Sequence, residues 1–473
     1  MNRRPNILWL CTEHQRFDTI RALGNEHIRT PNFDRLAREG VAFTHAFAQN
    51  SVCTPSRASF LTGRYPVTTR CRQNGQNIPE DEVLITRELR DLGYDCGLAG
   101  KLHVSASQSG TERRIDDGYR MFAWSHGSTK VHGGDWVRWL EAQGKRFEDV
   151  YLRSPIIYSR EVTEREYHQT TWCFDRALAF MQEKRRGPWL VSINPFSAHD
   201  PFDYLREYLD RYNPDTLPPP KFSPGELDNK PPCQMATYQR RGGPKGYEST
   251  TDRQRREMKA AYYATIEHID AELGRLLGWL DETRQRENTL IILTSDHGDM
   301  GGDHGLFQKG PYLYDPAVRV PLIFSLPGTL PTGLRSDALV ELVDIVPTIH
   351  ELLGLPIPPR VQGKSLLPLL TGQRSPAEHR DGVYAEYYNS NPWRTVHGLA
   401  PVYATMWRDR RFKIVVRHGE KLGELYDLDR DPDEFENRWA DPSYADVRFE
   451  LMKRGFDARV FTMDPLPPRV SYF

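Results

Sequence analysis

The segment around Cys53 holds the densest chemistry in the chain. Pro55 follows Cys53 at +2 and Arg57 at +4. A proline suits the first turn of a helix. A helix opening near Pro55 would bring its positive end and Arg57 beside the Cys53 side chain, a setting that favours an anion. On these grounds Cys53 is either a reactive thiolate or a buried structural thiol. Carboxylate–imidazole pairs follow two apolar runs: Glu13-His14 after residues 7–11, and Asp296-His297 after residues 289–293. A hard divalent cation takes several oxygen ligands, and acidic side chains arriving from distant strand ends supply them. By residue type alone, Asp296 and His297 also fit a helix cap and a loop, and His14 also fits a place behind the ligands. Lys101 and His103 stand two apart after residues 96–99 and point the same way if extended. His199 follows the apolar run 189–193, and Lys309 follows the Asp-His pair across a glycine-rich loop. Fixed cations stabilise charge at an anionic centre, and imidazoles move protons near neutrality. His304, within 301–305, is near enough to join such a site and reads equally as a structural loop residue.

Residues this far apart need a scaffold that gathers strand ends. Apolar runs at 7–11, 189–193 and 289–293 alternate with helical patterns at 30–39, 81–92 and 253–283. This rhythm predicts an α/β fold, a large mostly parallel or mixed sheet sandwiched by helices. Its functional residues belong at the carboxyl ends of the strands. Residues 203–252 interrupt the rhythm with Pro218-Pro219-Pro220, Pro231-Pro232 and Gly242-Gly243-Pro244. They predict a lid or substrate-binding excursion, with a merely solvated insertion as the plainer reading. A second proline-rich stretch at 355–360 leads into runs at 383–388, 402–407 and 412–416 that alternate like antiparallel strands, then a helix near 442–456. The expected division is a catalytic α/β domain over 1–360 and a smaller C-terminal α+β subdomain over 361–473, built around a short antiparallel sheet.

Composition narrows the function classes. The 473 residues carry 63 basic and 64 acidic side chains, a net charge of −1. Nucleic-acid and anionic-membrane binders show a basic excess, so neither partner is expected. With 20 Phe, 10 Trp and 22 Tyr, the chain has too many aromatics for a disordered polymer. The first apolar run is only five residues long and meets Glu13 at once, unlike a signal peptide or membrane span. A cytoplasmic protein is expected. Six cysteines without paired spacing argue against a disulfide framework or zinc ribbon.

The run Cys53-Thr54-Pro55-Ser56-Arg57, with Leu61-Thr62-Gly63 behind it, resembles the signature of the sulfatase family. The resemblance continues in order through Glu13 and Arg16, residues 31–36, Gly100-Lys101-Leu102-His103, His199-Asp200-Pro201-Phe202, Ser295-Asp296-His297-Gly298, Lys309 and residues 424–429. It implies an alkaline-phosphatase-like fold and hydrolysis of sulfate monoesters to inorganic sulfate and an alcohol. By the same resemblance, a formylglycine-generating enzyme oxidises Cys53 to formylglycine (3-oxoalanine), whose hydrate attacks sulfur and then ejects sulfate. Glu13, His14, Asp296 and His297, with position 53, would hold a divalent metal, calcium before manganese. Arg57, Lys101, His103, His199 and Lys309 would serve catalysis beside position 53. Lys101, His199, Lys309 and Asn74 would also bind substrate, Asn74 reading otherwise as a turn residue in Asn74-Gly75. Glu13 departs from the family's usual Asp by one methylene, and His14 stands where Asp or Gln is common.

Phosphonate monoester hydrolases and related phosphodiesterases share this fold and the modified cysteine. Asp296 paired with His297, a single acid in the first strand motif, and Gln73-Asn74 lean that way. The Lys101-x-His103 pair is the sulfatase version and places sulfatase first. A non-catalytic binding homologue is the reading from another class, resting only on the Glu13-His14 departure. The leaving-group side falls to residues 203–252 and to Tyr387, Tyr388, Asn391 and Trp393, which suit a saccharide or aryl sulfate. A homo-oligomer is among the assembly states left open.

Overall fold

The computed structural model describes residues 4–108, 110–240, 246–390, 401–467 and 471. Its central strands are apolar on both faces. In β1 (Asn6–Thr12), Leu8 and Leu10 enter one core layer while Ile7, Trp9 and Cys11 enter the other. Side chains alternate along a strand, so a run without polar interruption marks a strand covered on both sides. Along the chain follow α1 (Pro31–Arg38), β2 (Val41–Phe47), α2 (Cys53–Thr62), β3 (Asp95–Gly100), β4 (Met121–Trp124), α3 (Gln169–Gln182) and β5 (Trp189–Asn194). Then come α4 (Asp252–Glu282), β6 (Thr289–Ser295), β7 (Arg319–Ser325) and β8 (Leu334–Ser336).

The sheet order is β8-β2-β7-β6-β1-β5-β3-β4, with Val340–Glu341 pairing to β2 as a ninth strand. Within it β7 alone runs against both its neighbours, β6 and β2. Helices α1, α3 and α4 cover one face, and α2 the other. The expected mixed sheet between helical layers is what forms, in an alkaline-phosphatase-like arrangement.

Local boundaries moved where capping decided them. Helix α4 starts at Asp252 because Thr251 and Gln254 form a reciprocal capping box. The helix expected over 81–92 begins only at Ile85. Phe202–Leu205 pairs in parallel with Ser159–Val162, beside Tyr151–Arg153, in a three-stranded sheet that the sequence pattern does not predict. The insertion beyond it is fastened down. The Lys221 amide donates to Asp303 at 2.8 Å, Lys230 Nζ to the Tyr426 hydroxyl at 2.8 Å, and the Tyr314 hydroxyl to Gln234 at 2.8 Å. These bonds make it a strap fastened to residues 303 and 314 and to the C-terminal sheet.

That sheet comprises β9 (Val383–Tyr388), β10 (Tyr403–Arg408), β11 (Phe412–Arg417) and β12 (Glu424–Asp427), consecutive and antiparallel. Helix α5 (Ala445–Phe461) packs on it. Leu366, Leu369 and Leu370 instead join the core of the large sheet. Gly242, Gly243, Pro244, Asn391 and Trp393 lie outside the described residues. No helix among the described residues is long and apolar enough to cross a membrane.

Candidate active site

Strands β6, β1, β5 and β3 are parallel neighbours in that order, so their carboxyl ends share one edge. Thr12 lies opposite Ser295, and Gly100 opposite Asn194. Each strand is followed at this edge by one of the predicted groups: Glu13-His14, Asp296-His297, His199, and Lys101 with His103. Gly100 has φ +110, and a Cβ there would run into the Asn194 carbonyl. Only glycine lets the chain turn Lys101 inward at this point. Helix α2 aims its N-terminus at the same edge, and all ten of its residues are buried. It opens at Cys53, two residues before Pro55. Val52 provides no side-chain cap; the Thr54 amide donates to Asn74 Oδ1 at 2.9 Å instead. Asn74 is thus a cap for the helix that carries Cys53 and also lines the adjoining pocket.

Cys53 is the hub. Its Sγ lies 2.9 Å from Lys309 Nζ, 3.1 Å from Glu13 Oε1 and 3.2 Å from His297 Nε2. All six cysteines are free and buried. Burial pushes Cys11, Cys71 and Cys96 up to about 12. Cys53 moves the other way: burial raises it too, but the Lys101 and Lys309 ammonium groups outweigh that. Lys309 also meets His14 Nε2 at 2.5 Å and His199 Nε2 at 2.9 Å. Burial works against its charge, while Cys53 and Glu13 hold its pKa above the usual value.

Arg57 does not touch the thiol. Its Nε donates to Asp296 Oδ2 at 2.9 Å and its NH1 to the Lys101 carbonyl at 3.1 Å, so it fixes two arms of the site. Asp296 is held well below the usual carboxylate range because His297 and Arg57 overcome its burial. Lys101 Nζ pairs with Glu13 Oε1. Burial pushes Glu13 up to about 7 despite that ammonium. The strand-alternation reason for joining Lys101 and His103 fails, since β3 ends at Gly100 and His103 sits at φ 55. Both side chains still converge: His103 Nε2 is 2.9 Å from Thr54 Oγ1, and His103 shares a cluster of ligand-type atoms with Glu13 and Cys53.

The residues fit a divalent cation. Glu13 Oε2 is buried without a hydrogen-bond partner. His297 Nδ1 contacts the Gly298 carbonyl at 2.8 Å and His14 Nδ1 contacts Asp299 Oδ2 at 2.8 Å. Each ring then keeps its proton on Nδ1 and leaves a lone pair on Nε2, which faces Cys53 in His297 and the Lys309 ammonium in His14. Burial holds both imidazoles neutral, with His297 lowered to about 4 and His14 well below its usual value. His14, Cys53 and His297 bring ligand atoms within 4.8 Å of one another.

Sequence reasoning missed three supports. Asp299 orients His14, and burial together with Asp200 pushes its carboxyl up to about 7. Tyr262, on α4, donates to the His14 carbonyl at 2.7 Å. Phe196 stacks on His199 with centroids 4.6 Å apart. The second acid in Asp296-His297-Gly298-Asp299 was the one available signal; the other two depend on packing between distant segments.

A pocket of about 200 Å³ opens over Lys309, His199 and His14. Thr237 and Arg240 reach it from the strap, and Tyr312, Tyr387 and Ser390 close its far side. Tyr388 does not line it: its ring packs on Tyr403 at 4.7 Å and under Arg72 at 4.2 Å. His304 stacks on Tyr314 at 4.0 Å, and its amide donates to the Lys221 carbonyl at 2.7 Å, a structural post for the strap.

Comparison with known proteins gives the family and the fold likeness. The sulfatase family profile matches residues 5–355, and that of the N-sulphoglucosamine sulphohydrolase C-terminal region matches residues 302–460. The chain is 30% identical to a multifunctional alkaline phosphatase superfamily protein of Trinickia caryophylli, covering 98% of this chain and 96% of that one. It is likewise 30% identical to an arylsulfatase of Clostridium perfringens, covering 92% and 90%. The crystal structure of phosphonate monoester hydrolase of Agrobacterium radiobacter superposes with a TM-score of 0.85 at 27% identity, covering 98% and 97%.

Proposed function

Because the chain belongs to the sulfatase family, we propose that it hydrolyses sulfate monoesters, with Cys53 matured to formylglycine beside a bound divalent cation. The observation that carries this reading is the surround of Cys53. The residue is fully buried at a helix N-terminus, touched by Lys309, Glu13 and His297, with Arg57 locked onto Asp296 behind it. A hydrated formylglycine supplies the attacking oxygen, and a divalent cation supplies charge neutralisation at that oxygen and at the substrate.

The chain's own residues do the rest. Glu13, His14, Asp296 and His297 would hold the cation. Calcium is the first ion in this reading and manganese the second; the two imidazoles beside two carboxylates weaken the preference for calcium, which favours an all-oxygen shell. Lys309 and Lys101 place fixed positive charge where the sulfuryl oxygens would lie, and a buried site strengthens that attraction. His199 has Nδ1 on the Asp200 carbonyl at 2.5 Å, so its Nε2 faces the pocket ready to take or return a proton at the leaving oxygen. The Tyr312 and Tyr387 side of the 200 Å³ pocket suits a ring-shaped leaving group, aryl or a single sugar.

Phosphonate monoester hydrolysis is the second reading. The Asp296-His297 pair and the structural likeness favour it, and Lys101 with His103 favours sulfate. The test is coexpression with a formylglycine-generating enzyme, mass spectrometry of the Cys53 peptide, and kcat/KM on an aryl sulfate, a sugar sulfate and an aryl phosphonate monoester. Sulfate release exceeding phosphonate turnover is expected. The reverse order selects the second reading. A converted, metal-loaded enzyme that turns over none of them overturns both.

A further inference from the structure

Helix α5 is apolar on two faces. Val447, Leu451 and Ala458 turn toward the protein. The outer face carries Phe449, Met452, Phe456 and Val460, exposed by 74, 42, 69 and 44%, and continues into Met463 at 61%. Of the ten large apolar side chains left exposed among the described residues, seven lie between positions 449 and 466. One short segment therefore holds most of the exposed large apolar side chains among the described residues.

A helix turns about 100° per residue, which sets Phe449, Met452, Phe456 and Val460 in one stripe, with Met463 following two residues past the helix end at Phe461. Their spacing of three or four residues is that of a knobs-into-holes seam. A helix apolar all round is ordinarily a buried helix, and an apolar patch rimmed by polar groups marks an interaction surface. The rim says which partner. Arg448 and Arg459 border the stripe on one side, and Asp446, Glu450 and Asp457 on the other, with Lys453 held by Asp457 at 2.6 Å. Two copies related by a two-fold axis along the helix put the basic edge of each opposite the acidic edge of the other. A membrane surface instead favours a helix basic along its polar face, whereas this helix carries four basic and three acidic residues.

We propose that this face is the contact through which two copies of the chain pair, α5 against α5. The seam is isologous: the same residues on both sides close the assembly and leave no further copy to recruit.

Sedimentation velocity across a wide concentration range tests it. The native chain is expected at twice its 54.7 kDa mass. Phe449→Glu with Phe456→Glu is expected at the single-chain mass with the same melting temperature and circular dichroism, because both side chains already face solvent within one copy. Phe461→Glu, equally exposed but off the stripe, is expected to keep the doubled mass. A native chain that stays monomeric, whether or not it binds anionic vesicles, overturns the proposal. So does a doubly substituted chain that remains paired.

Discussion

Replacing Lys309 by Met removes the ammonium at the centre of the site and keeps most of its volume. In the structure that ammonium lies 2.9 Å from Cys53 Sγ and 2.9 Å from His199 Nε2, so a sulfuryl oxygen at position 53 would sit within about 4 Å of it. A unit-charge interaction at that range is worth about 4 kcal/mol at the effective dielectric of a protein site. Removing one preorganised donor from a comparable anion hole costs about 10²–10³ in kcat. The expected result for Lys309→Met is therefore a kcat on an aryl sulfate lower by about 10²–10³ with a much smaller change in KM. The same substitution has a second readout in protein whose Cys53 is left unconverted. Burial raises this thiol and the two lysines hold it down. Losing a cation in contact should raise its pKa by about 1–3, measured from the pH dependence of alkylation. A kcat within a few-fold of native, or a thiol that titrates unchanged, would refute the electrostatic role of Lys309.

Asp299→Asn should weaken metal binding about 10–100-fold, as loss of an outer-shell carboxylate does, read by chelator competition and metal content as well as by rate. Asn74→Ala removes the cap on α2 and should cost about 1 kcal/mol, seen as a lower melting temperature together with a raised KM. In metal-free protein, burial raises Glu13 and Asp299 to about 7. Raised acids bind more protons folded than unfolded, so their contribution is full below their unfolded pKa values and is lost as pH climbs through 7. Thermal stability of the metal-free protein should fall across that window, and added manganese should offset the fall; a melting temperature flat from pH 5 to 8 would contradict this. Arg57→Lys should lower activity through a displaced Asp296, since a single ammonium cannot reach both Asp296 and the Lys101 carbonyl; unchanged metal content and rate would count against it.

Much of the site was legible because strand ends write themselves into a sequence. A short apolar run that stops at Glu13-His14 or Asp296-His297 places those residues beyond a buried strand, whatever the strand's neighbours. Cys53, Pro55 and Arg57 likewise mark a helix start by local chemistry. The α/β rhythm needs only such local periodicity, and so do the three C-terminal strands at 383–388, 402–407 and 412–416. The helix near 442–456 was legible as a helix, but its outward stripe has meaning only once the sheet beneath it is known.

Other features are decided by pairings between residues far apart in the chain. That β1 lies between β6 and β5 determines that Glu13 and Asp296 serve one site, and no local pattern states a strand order. Arg57 reads as a neighbour of Cys53, yet its partner is Asp296, brought up by a different strand. Asn74 reads as a turn residue or a substrate contact, but a helix with no cap of its own at Val52 takes its Oδ1. Residues 203–252 read as a lid because prolines interrupt the rhythm; Lys221, Lys230 and Gln234 tie them to partners near 303, 426 and 314. Which side chains stand at strand and helix ends could be read from the residues alone, because backbone propensity and burial act over a few residues. Which of those ends meet, which proton each imidazole keeps and which face of α5 is left over follow from the assembled fold, because these depend on contacts across hundreds of residues.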